Sequence, residues 1–151
     1  MKYYTQNDER WQNIEMVQGV TIGRYGCLIV SIANAVTSDN PKYGEYMTPD
    51  MVNMIIQNNN GYTEKGLVIW SVIEKFFFFK HKNIGQLKPD FSDDKQYIVH
   101  MPFENTGHFC NLINLQGEEY IYFDVWDGKQ KKIKRSDIIS CRALKFKKNV
   151  K

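Results

Sequence analysis

The chain has 151 residues, with 20 Lys+Arg against 17 Asp+Glu and a formal net charge of +3. A length of this order suits one domain with a self-sufficient core, and a composition of 42% hydrophobic and 25% charged residues excludes disordered, collagen-like and disulfide-dense classes. The total hides a division: residues 1–128 carry 10 Lys+Arg and 16 Asp+Glu, a balance of −6, whereas residues 129–151 carry 10 and 1, a balance of +9.

In chain order, the opening Met1-Lys2-Tyr3-Tyr4-Thr5-Gln6-Asn7-Asp8 turns polar before any apolar stretch begins. It has no secretory signal pattern, so a cytoplasmic location is expected. Residues 27–37 are apolar on nearly every side and read as a buried helix or a central strand. Length and two alanines favour the helix, while Ile29, Val30 and Ile32 argue for the strand. Thr48-Pro49-Asp50 then supplies a capping hydroxyl, a first-turn proline and a carboxylate at the positive helix end, ahead of the stripe Val52, Ile55, Ile56. A further helix is predicted over 66–78, with Leu67, Trp70, Ile73 and Phe77 at spacings of three and four. The apolar runs, such as Phe76-Phe77-Phe78-Phe79, fall far short of a membrane span.

The second half changes period. Residues 96–101, 108–114 and 120–125 are short, β-branched and aromatic, with turn signals at 102–107 and 116–118, and 141–147 offers one more strand. Helices followed by antiparallel strands predict an α+β class, with 1–151 forming a single domain.

Three cysteines, Cys27, Cys110 and Cys141, show no CxxC pairing and suit a reducing compartment. Cys27 follows Gly26 at the start of the buried segment. If that segment is a helix, the thiol meets the unpaired N–H groups of its N-terminus, which favour the thiolate. Gly23 and Gly26 let the backbone turn sharply there. A reactive thiol needs a base, and His108 follows Gly107 at the mouth of a strand. The base needs an orienting group. Asp124 lies 16 residues beyond His108, and a hairpin turning at 116–118 sets it beside the imidazole. Each residue also has a plainer reading: a packed thiol, a hydrogen-bonded strand histidine, a turn-capping aspartate.

Two stretches carry a resemblance. Gln6-Asn7-Asp8-Glu9-Arg10-Trp11, followed by Thr21-Ile22-Gly23-Arg24-Tyr25-Gly26-Cys27, resembles the opening of papain-like cysteine peptidases of the bacteriocin-processing (double-glycine peptidase) kind. Gly107-His108-Phe109 and Asp124-Val125-Trp126-Asp127-Gly128 resemble that family's second half, in order and spacing. The resemblance runs from residue 3 to about 140. It implies a papain-like fold in which N-terminal helices pack on a C-terminal antiparallel sheet. It also implies a thiol hydrolase with Cys27 as nucleophile, His108 as base and acid, Asp124 as orienter and Gln6 as oxyanion donor. No cofactor follows from it. Two departures stand out. Val125 replaces the family's usual proline, which opens Asp127 as a substitute acid, and Leu28 replaces a small residue beside the nucleophile.

The expected activity is hydrolysis of a peptide or peptide-like amide through a thioester. A phage or bacterial enzyme cutting cell-wall peptide is the sharper variant, its location then virion-associated or released by lysis. Two other classes compete: an inactive papain-like binding module, and a polyanion- or nucleic-acid-binding protein that uses Lys131, Lys132, Lys134 and Arg135. The basic stretch also reads as a solvated terminal hairpin. His81, His100, His108 and Cys110 offer metal-binding atoms without a metal-site spacing, so no metal is expected. His100 is the competing base, but its apolar strand suggests a core histidine. His108 and Cys110 share a strand face, which brings Cys110 towards Cys27 and allows a redox link. Oligomeric state is not legible.

Overall fold

The computed structural model describes residues 3–40, 47–91, 95–104 and 106–147. Met1, Lys2 and residues 148–151 of the basic stretch lie outside the described residues. A short hairpin, β1 (Glu15–Val17) and β2 (Val20–Thr21), leads into a single helical turn α1 (Ile22–Tyr25) and then into α2 (Cys27–Asp39). The apolar segment is therefore a helix. A helix satisfies its own backbone hydrogen bonds, so this one can be enclosed over most of its surface, and every side chain from Ile29 to Thr37 is buried. Gly26 at the junction is needed for space rather than torsion. Its φ is −88°, and a Cβ there would stand 2.6 Å from the Ile22 carbonyl oxygen.

Helix α3 (Pro49–Asn58) begins where the capping signals place it, with Pro49 in the first turn and Val52 and Ile56 buried. The Thr48 hydroxyl donates to the Asp50 carboxylate instead of capping a backbone N–H. Helix α4 (Trp70–Phe77) is shorter than expected. Gly66 sits at φ +84° in a turn closed by the Thr63–Leu67 backbone bond (2.8 Å), so Leu67 leaves the apolar stripe and is exposed.

The strands are β3 (Phe79–Gly85), β4 (Lys95–Phe103), β5 (Thr106–Gln116), β6 (Glu119–Phe123), β7 (Gln130–Lys134) and β8 (Ser140–Phe146). They form one antiparallel sheet in the order β3-β8-β4-β5-β6-β7. The α+β class is thus correct. Strands β4, β5, β6 and β8 fall where alternation and β-branching place them. Strand β3 was not expected, because the aromatic run 76–79 spans the change from helical to extended period. The basic stretch is not a terminal hairpin. After a 3₁₀ turn (Arg135–Asp137), β8 leaves β7 at the sheet edge and inserts between β3 and β4.

Helix α2 packs on β4 and β5 through a buried polar seam as well as apolar contacts. Asn34 Nδ2 donates to Asn111 Oδ1 (2.8 Å) and to the Tyr4 carbonyl (3.2 Å), and Asn34 Oδ1 accepts the Tyr4 N–H. Asn111 Nδ2 donates to the Ser31 carbonyl (2.9 Å), and the Ser31 hydroxyl donates to the Phe109 carbonyl (3.2 Å). This seam sets the register of α2, and hence of Cys27, against β5. Among the described residues no helix is long and apolar enough to cross a membrane.

Candidate active site

Cys27 is the first residue of α2, half-buried and free. His108 lies near the start of β5, opposite Met101 of β4, and is 6% exposed. Asp124 follows the last residue of β6. The hairpin at 116–118 turns on Gly117 (φ +62°) and pairs Gln116 with Glu119. That register carries Asp124 back alongside His108, and His108 Nε2 and Asp124 Oδ1 stand 2.8 Å apart. The Cys110 and Cys27 thiols lie close enough to the imidazole to favour its charged form. With Nε2 committed to the carboxylate, Nδ1 is the nitrogen available to a Cys27 proton. Of the three residues chosen, His108 and Asp124 are brought into direct contact, and the Cys27 thiol bears on the charge of the imidazole.

Asp124 is held at both oxygens. Oδ1 accepts the Trp126 N–H (2.9 Å) and the Cys110 thiol (3.6 Å) besides His108, and Oδ2 accepts Lys131 Nζ (2.7 Å). The tight turn beyond it is closed by Asp124 N–H to the Lys129 carbonyl (2.9 Å) and Gly128 N–H to the Asp124 carbonyl (2.8 Å). Burial opposes charge on this carboxyl, yet the bonds from His108, Lys131 and the Trp126 N–H hold it well below the usual carboxylate range. On His108 burial likewise opposes the charged form, but Asp124, then Cys110 and Cys27, win, and its pKa is pushed up to about 12. Burial pushes the Cys110 thiol up, which keeps it a donor to the carboxylate. Asp124 thus stabilises the imidazolium that forms when His108 takes up a proton, the charge state that then favours proton transfer onto a leaving group.

Asp127 does not reach the imidazole. Its Oδ2 pairs with Lys131 Nζ (2.8 Å) and its Oδ1 accepts the Lys129 N–H (3.1 Å). Val125, the residue that opened the question of a displaced acid, is fully buried, and its carbonyl accepts the Gln6 N–H (2.7 Å). Gln6 thus sits between the Asp124 turn and α1, with Nε2 3.5 Å from the Ile22 carbonyl oxygen. One Nε2 hydrogen remains uncommitted, and the buried Oε1 has no hydrogen-bond partner among the described residues. Leu28 packs against the core.

His100 stacks on Phe109 (centroids 4.1 Å apart), and burial, then Arg142 and His108, lower its pKa. It is a packed ring. His81 stacks on Trp70 (3.8 Å) and lies 3.3 Å from Arg142 Nη1, so it joins no site with His108. Ligand-type atoms of His108, Cys110 and Asp124 do lie within 4.8 Å of one another. However, Asp124 Oδ1 already faces three donors and Oδ2 an ammonium, an arrangement built around protons. A cavity of about 520 Å³ lies elsewhere, over β3, β8 and β4, lined by Lys80, Lys82, Lys95, Tyr97 and Lys145 among others. Of the proposed polyanion cations, Lys131 is taken by Asp124 and Asp127, and Arg135 by Glu118 (2.8 Å). Lys132 and Lys134 project from the edge strand.

Sequence reasoning passed over the Lys131 contact. Its signal was a lysine seven residues after the orienting aspartate, readable only once β7 is assigned beside β6. No protein-family model matches the chain, and no curated protein matches it.

Proposed function

We propose that the protein is a papain-like cysteine peptidase or amidase acting on a peptide or peptide-like bond. The observation that supports this reading is His108, bonded at Nε2 to Asp124 (2.8 Å), with the half-buried Cys27 thiol at the start of α2 bearing on its charge. In the proposed reaction the Cys27 proton passes to His108 and Sγ attacks the carbonyl carbon. The tetrahedral oxyanion meets backbone N–H groups at the start of α2 and the uncommitted Gln6 Nε2 hydrogen. His108 gives its proton to the amine as the C–N bond breaks, leaving a thioester. Water then attacks the thioester, its proton taken by His108, and the acid departs as Sγ is regenerated and reprotonated. The imidazolium–carboxylate pair suits the step in which the amine leaves. A phage or bacterial enzyme directed at cell-wall peptide is the more specific form of the proposal, and transfer to another amine would use the same residues.

The test is chemical. Iodoacetamide labels Cys27 faster than the buried Cys110 and Cys141, read by peptide mass spectrometry, and His108→Ala slows that labelling. Equal labelling of all three thiols defeats the proposal. Cell-wall zymography alongside a peptide-library assay then separates wall from protein substrates, with Cys27→Ala as the inactive control.

A further inference from the structure

Lys131 contacts the far oxygen of the orienting carboxylate and takes no part in the proposed proton transfers. Lys131 stands on β7 directly opposite Tyr122 of β6, and its Nζ bridges Asp124 Oδ2 (2.7 Å) and Asp127 Oδ2 (2.8 Å). A solvent-exposed ion pair contributes little. This one differs at the Asp124 end, where the side chain is only 10% exposed against 38% for Lys131. Without the ammonium, Oδ2 loses the donor the structure gives it, and the repulsion between the Asp124 and Asp127 carboxylates that share this lysine is no longer offset, which raises the cost of ionising both.

We infer that Lys131 is a positioning residue of the Cys27–His108–Asp124 site, fixing Asp124 so that Oδ1 faces His108 and both nearby carboxylates stay charged. The inference rests on the cysteine-hydrolase reading. Lys131 acts through Asp124 and touches neither the nucleophile nor the reacting bond. The groups that bear on the imidazole are Cys27 on α2, Cys110 on β5, Asp124 at the end of β6, Tyr122 on β6 and His100 on β4. Lys131 and Asp127 reach it only by way of Asp124. Removing the ammonium therefore loosens the carboxylate that stabilises the imidazolium, and proton transfer from Cys27 to His108 moves to higher pH.

The experiment is the pH dependence of Cys27 alkylation by iodoacetamide in the full chain, with His108→Ala, Lys131→Met, Lys131→Gln and Lys131→Arg variants. In the unaltered protein the rate rises along a limb that His108→Ala abolishes. Lys131→Met and Lys131→Gln shift the limb by about one pH unit to the alkaline side, so that labelling below it slows about tenfold. Lys131→Arg, which keeps the charge and can span both carboxylates, restores the limb. A merely structural role lowers the melting temperature without moving the limb. A limb that stays in place in both neutral variants, or moves to lower pH, overturns the positioning role and leaves the hydrolase reading intact. Absence of a His108-dependent limb in the unaltered protein defeats the hydrolase reading itself.

Discussion

Gly107 shows how closely the neighbourhood of the base is fitted. A Cβ at this position would fall 2.0 Å from His100 Nε2, and that ring is held by its stack on Phe109. The residue before His108 must therefore be bare, although nothing about its torsion demands glycine. Gly107→Ala is expected to cost about 1–3 kcal/mol through forced displacement of the imidazole, seen as a melting temperature several degrees lower. The three candidate residues stand out in the sequence because each lies at an element boundary with a distinctive flank: Gly26 before Cys27, Gly107 before His108, and a hairpin of fixed length before Asp124. The partners that fix Asp124 were not legible. The Trp126 N–H and Lys131 reach it through the geometry of a turn and of an unassigned strand, and the Cys110 thiol through a shared strand face whose consequence was read only as proximity to Cys27.

Between elements, the decisive contact is the amide seam joining the N-terminal segment, α2 and β5. Asn34 serves both the Tyr4 backbone and Asn111, all of them buried. Asn34→Ala leaves the Tyr4 N–H and Asn111 Oδ1 without the partner they have here, at a cost of about 2–3 kcal/mol, measurable as a lowered denaturant midpoint. Because Gln6 lies two residues beyond Tyr4 and Cys27 begins the helix that carries Asn34, the same change is expected to slow Cys27 alkylation more than a core truncation of similar cost, such as Ile73→Ala. Helices α2 and α3 were readable from length, alanine content and capping signals. The hairpin β1–β2 and strands β3 and β7 were not, because strands of two or three residues, and charged runs such as Phe-Lys-His-Lys-Asn and Gln-Lys-Lys-Ile-Lys, carry little apolar signal.

Across the whole molecule, the histidines set opposite pH trends. Burial, then Arg142, lowers the His81 pKa to about 4, and His100 is lowered as well. Between pH 6.5 and about 4 the unfolded chain therefore binds protons that the folded chain refuses, and stability falls as pH falls through that window. His108 has the reverse sign: its folded pKa is raised, so its contribution is complete below pH 6.5 and declines only as pH rises towards about 12. His81→Phe, which keeps a ring against Trp70, is expected to reduce the loss of melting temperature between pH 6.5 and 4.5. An unchanged loss would show that groups other than His81 govern it. The net charge of the chain tells none of this. Its positive excess is divided between a strand at the edge of the sheet and one in its interior, and part of it is spent on Asp124, Asp127 and Glu118.

Among the described residues β3 and β7 are the edges of the sheet; on β3 the His81 N–H is taken by the Glu74 carboxylate (2.7 Å), and β7 pairs on one side only. Both edges carry lysines at exposed positions, Lys80 and Lys82 on one and Lys132 and Lys134 on the other. A second copy approaching either edge meets its own positive charge before it meets a hydrogen bond. Charge at both edges thus opposes the edge-to-edge pairing of separate copies of this sheet.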